Sequence, residues 1–202
     1  MWALVESNSI SKIYARPTAL QLGDIQYPAN IFELWTEAEL KAIGIYEITV
    51  DNTNFKDKEY YTNTDITYTY NSSPDTVTGA YGTATALSLT DVLYTATDES
   101  NGLGTEGEIR TRGLKNLKKE TINGRANALL QKYDWYTLRA ASGGTAIPSS
   151  VSTYQAAVRT KANSMCTQID NAADVDALVA LYTYNDATPP VRPLGEFPDE
   201  PS

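Results

Sequence analysis

The chain has 202 residues, 42% of them hydrophobic and 20% charged, with a formal net charge of −9, which is enough apolar material for one compact domain or two small ones and too much for a disordered polymer. It contains no histidine and one cysteine, Cys166. That inventory excludes Ser-His-Asp and Cys-His nucleophilic sites, histidine and thiolate zinc sites, and an intramolecular disulfide.

What remains available to an enzyme is carboxylate chemistry, either paired acids or oxygen-ligated Mg²⁺ and Ca²⁺. No apolar run approaches the roughly 20 residues that span a bilayer. The opening MWALVESNSI lacks a basic segment followed by an apolar one. The expectation is a chain that is neither inserted in a membrane nor exported, made in a reducing compartment. Charge is segregated along the sequence. Residues 1–109 hold 5 basic and 16 acidic groups, 110–161 hold 10 and 2, and 162–202 hold 1 and 7. A basic block between acidic flanks predicts pairing of the central helices with the chain's own acidic ends or a neighbouring copy's, and no nucleic-acid partner.

The first hundred residues read as strands. Ala3–Glu6 and Ser9–Tyr14 flank Ser7-Asn8, and Ala19–Leu22 and Ile25–Tyr27 flank Gly23-Asp24, both turn signals, before Pro28 stops the pairing. Thr36 with Glu39 forms a capping-box pattern, Trp35 and Leu40 are spaced as a hydrophobic staple, and Gly44 supplies a helix stop. This predicts a helix over Glu37–Ile43, followed by a strand over Ile45–Val50. Asp51-Asn52-Thr53-Asn54 with Asp57 lacks the glycine and terminal glutamate of a calcium loop and reads as a turn.

Asp65–Tyr70 and Thr76–Thr85 alternate around a loop at Asn71–Asp75, as in a hairpin. Tyrosines on such strands serve as half-buried cross-strand partners, as interface residues, or as platforms for sugar rings. Ser88–Leu103 fits either strand or helix. Asn101–Gly107 is glycine-rich, carries no phosphate-loop Lys-Ser/Thr, and reads as the linker between halves.

From Thr111 the period becomes helical. Leu114, Leu117, Ile122, Ala126, Leu129 and Leu130 form one face; Asp134–Tyr136 break it, with an extended piece to Arg139 and a loop over Ala141–Thr145. After Pro148, a second helix places Val151, Tyr154, Val158, Ala162, Met165 and Ile169 on one stripe, with Cys166 beside it as a small buried apolar residue. A third starts near Asp174 and buries Val175, Leu178, Val179 and Tyr182. Five of nine prolines fall in Asp186–Ser202, predicting an extended arm with apolar anchors at Val191, Leu194 and Phe197.

The fold class expected is therefore α+β: an antiparallel β-rich module over 1–100 with one short capped helix, a glycine-rich linker over 101–110, a small helical bundle over 111–185, and a proline-rich extended arm over 186–202.

Two blocks resemble phage proteins. Trp2–Glu6 with Ser9–Tyr14, Tyr27-Pro28, Leu34-Trp35-Thr36, Glu39-Leu40 and Ile43–Tyr46 is similar to the N-terminal module of small tail-associated proteins, particularly of marine phages. Leu130, Asp134-Trp135, Pro148, Tyr154 and Ala156–Arg159 resemble the C-terminal motif of tail-fibre-assembly-type proteins and an uncharacterised phage family. The tyrosine-rich middle and the proline arm depart from that pattern. The resemblance implies a virion structural protein of the tail, baseplate or fibre attachment, synthesised in the host cytoplasm, without cofactor or catalytic residues, forming oligomers and binding other phage structural proteins. Tyr68, Tyr70, Tyr81, Val191, Leu194 and Phe197 are the expected partner-binding residues. A fibre-assembly chaperone absent from the mature particle is the first alternative. The second is a carbohydrate-binding tail protein, although Trp35 is better explained as a staple and Trp135 as a bundle-packing residue.

Overall fold

The computed structural model describes residues 1–201 and has mixed α and β structure, in two units, one covering Met1–Thr85 and the other beginning at Ala86.

The first unit is built on a curled five-stranded sheet in the order β2-β1-β5-β8-β7. β1 (Trp2–Glu6) and β2 (Ser9–Tyr14) form a two-residue hairpin whose central residues, Ser7 and Asn8, both have positive φ (50° and 61°), the twist that suits a tight antiparallel reversal. β3 (Leu20–Leu22) and β4 (Ile25–Tyr27) pair across Gly23-Asp24 as expected. A short helix that the sequence reading missed, α1 (Ile31–Leu34), precedes α2 (Glu37–Ala42). The capping box on α2 is complete: the Thr36 hydroxyl accepts from the Glu39 N–H at 3.3 Å, and the Glu39 carboxylate accepts from the Thr36 N–H at 2.8 Å. Gly44, at φ +81°, turns the chain into β5 (Ile45–Asp51), and its carbonyl accepts from the Val5 N–H at 2.8 Å.

One expectation is corrected here. The sheet is mixed rather than antiparallel. After β5, an irregular stretch containing β6 (Tyr61–Thr62) carries the chain to the outer position of β7 (Ile66–Ser72), and β8 (Asp75–Tyr81) returns into the slot between them. β8 is antiparallel to β7 but parallel to β5, pairing Ile48 with Val77 and Val50 with Gly79. The hairpin loop is also tighter than expected, closing at Ser73-Pro74.

Strand alternation divides the apolar residues between two faces. Leu4, Tyr14 and Ile45 face α1, α2 and the β3–β4 hairpin, where Trp2, Phe32, Leu40 and Trp35 join the same cluster. Phe32 sits between Trp2 and Tyr14 at ring distances of 4.7 and 5.8 Å, and Tyr27 meets Trp35 edge-on at 5.7 Å. The opposite face is inside the curl, with Ala3, Tyr46, Ile48 and Val77 as its core and Ile10, Ile13, Tyr68 and Tyr70 packed against them.

The second unit begins as the chain leaves β9 (Thr85–Ala86). β10 (Val92–Leu93) and β11 (Ile109–Thr111) pair antiparallel around α3 (Ala96–Ser100). The glycine-rich stretch is thus not a linker between units. The Gly107 and Tyr94 amides donate to the carbonyls of Tyr94 and Glu108, at 3.0 and 2.9 Å, which closes Asn101–Gly107 into a loop of the second unit. A second capping box, Thr95 with Asp98, starts α3.

Four helices follow: α4 (Leu114–Gln131), α5 (Asp134–Ala141), α6 (Ser149–Asn171) and α7 (Val175–Tyr182). The first turn of α4 is closed from outside. The Asp91 carboxylate accepts from the Gly113 N–H at 2.7 Å, and the carbonyls of Ser88 and Leu89 accept from Leu114 and Lys115. The stripe on α6 is as expected, with Val158, Met165 and Ile169 no more than 1% exposed. Asp174 caps α7, accepting from the Ala177 N–H at 2.7 Å, and Val175 and Leu178 are buried. Cys166 is half-buried, beside Asn123. The break expected at Asp134–Arg139 is α5 instead. Arg139 lies one turn from both Trp135 and Tyr136, its guanidinium 4.6 and 5.1 Å from their rings, a pairing that only helical spacing allows.

Candidate functional site

Two of the three tyrosines expected to meet a partner, Tyr68 and Tyr70, pack against the first unit's own sheet. Tyr68 packs in the curl against Gly79, where an added Cβ would lie 3.0 Å from its ring. The aromatic ring covers the backbone that the glycine leaves bare. Tyr70 donates its phenol to the Asp75 carboxylate at 2.7 Å and meets Tyr46 edge-on at 5.3 Å. The Asp75 carboxylate it faces raises the Tyr70 phenol pKa, and that hydrogen bond in turn lowers the acid's. Lys41 completes the group, donating to the Asp75 carbonyl at 2.9 Å and pairing with Glu37 at 2.8 Å.

Tyr81 opens onto a cleft that Tyr68 also lines. Its ring stands 5.0 Å from the partly exposed ring of Phe55, at the edge of an open cleft of about 690 Å³ that also holds Tyr61, Asn63, Thr64 and Asp65. Phe55 and Tyr61 were not singled out from the sequence, because they belong to the irregular segment after β5 and carry no periodic signal. The cleft wall is pinned by side-chain bonds to backbone. Asn63 accepts from the Lys56 N–H at 2.8 Å and donates to its carbonyl at 2.7 Å; Asn54 donates to the Tyr81 carbonyl at 3.0 Å. Thr64 accepts from the Gly82 N–H at 2.7 Å. The Asp51 run is a turn, as expected, with the Thr53 N–H and hydroxyl both on the Asp51 carboxylate.

The proline-rich segment is held by its own unit. Leu194 is fully buried, its N–H donates to the Leu181 carbonyl at 3.0 Å, and its carbonyl accepts from Lys161 at 2.9 Å. It therefore acts as a core residue rather than as an anchor for another chain, which corrects that assignment. Phe197 is half-buried and lies 5.5 Å from the Arg125 guanidinium. Val191 stays 55% exposed although its backbone is tied to Asn185 on both sides. Acidic groups of the segment meet the basic block of α4: Glu196 with Arg125 at 3.9 Å, and Glu200 with Lys132. Lys119 pairs with Asp170 of α6 at 2.7 Å. The charge segregation along the sequence is thereby matched by pairing within the unit.

No family model, curated protein or solved structure matches the chain. Function must be read from the side chains themselves.

Two further observations bear on it. Among the described residues, the carboxylates whose acidity is perturbed are shifted downward. Glu39 is lowered by the Thr36 N–H, Asp51 by the Thr53 hydroxyl, Asp91 by the Gly113 N–H, Asp98 by the Thr95 N–H and Glu200 by Lys132. A carboxylic acid poised to donate a proton near neutrality requires the opposite shift. Among the described residues, no cluster of three or more acidic or cysteine side chains is placed to hold a metal ion, and no helix is long and apolar enough to cross a membrane.

The second observation concerns α5. None of its residues is buried, and Trp135 and Leu138, one turn apart, are 50% and 68% exposed. Trp135 is therefore not the bundle-packing residue expected from sequence. Its ring lies 3.9 Å from that of the half-buried Tyr136, with Arg139, also half-buried, over both, so Trp135 and Leu138 are the exposed members of this group.

Proposed function

We propose that this chain is a non-enzymatic structural protein of a bacteriophage particle, placed in the tail, baseplate or fibre-attachment region. It acts by assembly contacts with other phage structural proteins and with copies of itself. Made in the host cytoplasm, it is retained in the virion. The reading starts from the resemblance at Trp2–Tyr46 and Leu130–Arg159. The observation that carries it is the half-exposed Trp135 beside Leu138, Tyr136 and Arg139 on α5. Tryptophan, tyrosine and arginine dominate the few residues that supply most interface free energy, and leaving such an apolar surface in water is unfavourable by about 25 cal/mol per Å². α5 also carries Asp134-Trp135 of the second resembling block, so two residues of that likeness lie on the uncovered helix.

The histidine-free composition supports contact rather than bond-making as the chain's contribution. Particle proteomics tests this reading. Gradient-purified virions of the source phage are expected to contain the chain at a fixed ratio to a tail component. Its presence in infected-cell lysate but absence from intact particles would favour the assembly chaperone and overturn the proposal.

A further inference from the structure

The cleft beside Tyr81 belongs to the first unit and calls for its own explanation. One of its aromatic rings is displayed rather than packed away: Phe55 is 40% exposed, although the same unit has two apolar clusters that bury larger residues. Tyr81 and Phe55 stand at an interplanar angle of 57°, so together they present two differently tilted apolar faces along one side of the cleft. The rest of the lining mixes Tyr61, Ile66 and Tyr68 with the short polar run Thr62, Asn63, Thr64 and Asp65, and Lys58 lies over the Phe55 ring at 5.9 Å.

Several features narrow the occupant. A protein side chain or helix would need a mainly apolar groove, whereas here hydroxyl, amide and carboxylate groups share the lining with the rings. A phosphate-bearing ligand is disfavoured by Asp65 and by the unit's 11 acidic against 5 basic residues. A neutral pyranose suits both kinds of lining group at once. Its axial C–H face lies against an aromatic ring, and its hydroxyls exchange hydrogen bonds with carboxylate, amide and hydroxyl side chains. The wall is also fixed before any ligand arrives. Asn63 is clamped to the Lys56 backbone, Asn54 to Tyr81, and Thr64 to Gly82. A rigid wall lowers the ordering cost of binding a weakly held polar ligand.

We infer that the cleft between Phe55, Tyr81 and Asp65 binds neutral saccharides, with the two rings as the stacking platform and Asp65 as an acceptor for a pair of sugar hydroxyls. The inference does not depend on the tail assignment. An open cleft with two rings sets the affinity in the millimolar range, about −4 kcal/mol.

The test is an amide NMR titration of the full-length chain with maltotriose, cellotriose and N,N′,N″-triacetylchitotriose, each to 20 mM, and with glycerol as a non-saccharide polyol. Saturable shifts confined to residues 55–66 and 81–82 are expected with at least one trisaccharide and none with glycerol. Phe55→Ala, at an exposed position, and the near-isosteric Asp65→Asn are each expected to weaken that binding at least tenfold while leaving the rest of the spectrum in place. The inference is overturned by shifts with none of the three trisaccharides, by equal response to glycerol, or by binding that both variants retain. Spectra of the variants that lose dispersion would shift the decision to the wild-type titration alone, which still supports or refutes it.

Discussion

Lys161, in the middle of α6, donates its ammonium group to the carbonyl of Leu194 at 2.9 Å, while the Leu194 side chain is fully enclosed by the same unit. A lysine on a helix face and a leucine between prolines, far apart in sequence, thus seat the C-terminal segment together. The bond satisfies a backbone acceptor that a proline-rich chain has few other means to pair.

Leu194→Ala should therefore behave as a core truncation. Removing a fully buried leucine costs about 2–5 kcal/mol, depending on how far the site collapses. Urea unfolding followed by circular dichroism is expected to lose stability on that scale. A change below 0.5 kcal/mol would mean the segment is not docked in solution.

Docking of the same segment should depend on pH. Burial opposes ionisation of Glu196, but the Tyr184 phenol and the Arg192 and Arg125 charges outweigh it, so its pKa falls below the ordinary glutamate value; Lys132 does the same for Glu200. A lowered folded-state pKa means stabilisation that is complete above the unfolded-state value and disappears as pH falls through the folded one. Hydrogen exchange at the Asn185, Val191 and Leu194 amides is expected to lose protection at pH 3 relative to pH 7. Added salt at pH 7 should have a smaller effect in the same direction, since these pairs are largely exposed.

Gly44 and Gly23 offer a matched comparison in the first unit. Both have positive φ, +81° and +58°, yet a Cβ on Gly44 would lie 2.9 Å from the Val5 carbonyl oxygen, while one on Gly23 meets nothing within 4 Å. Gly23→Ala should cost only the left-handed backbone penalty of about 1–2 kcal/mol, and Gly44→Ala clearly more. Equal losses in paired denaturation curves would refute the close approach of Gly44 to β1.

Thr36→Ala removes the hydroxyl that accepts from the Glu39 N–H and should cost about 1 kcal/mol. Glu39→Gln retains the reciprocal acceptor and should cost less. The two variants, compared by thermal unfolding, separate the two halves of the capping box.

What was readable in the sequence follows from the range of the interaction. The Thr36–Glu39 box, the Ser7-Asn8 reversal and the α6 stripe each depend on residues within a few positions of one another, and each formed as read. The parallel pairing of Ile48 with Val77 did not announce itself, because alternation in β8 is the same whichever way its neighbour runs. α5 was misread because Asp134-Trp135-Tyr136-Thr137 carries strand propensity, and the Arg139 contact that favours helix becomes apparent only once helical spacing is assumed. Likewise, the prolines showed that the last segment makes no ladder, but not that α6 and α7 enclose Leu194. The cleft drew together Phe55, Asp65 and Tyr81 from three stretches, of which only Tyr81 had been chosen.

The assembly role is tested most directly at α5. A host expressing wild-type and Trp135→Ala/Leu138→Ala chains in equal amounts, infected by phage lacking its own copy, would yield particles in which mass spectrometry counts each form. Both residues are at least half exposed and outside the core, so the variant should remain folded. The account predicts at least tenfold depletion of the variant from purified virions; incorporation of both forms in equal amounts, or of neither, would contradict it.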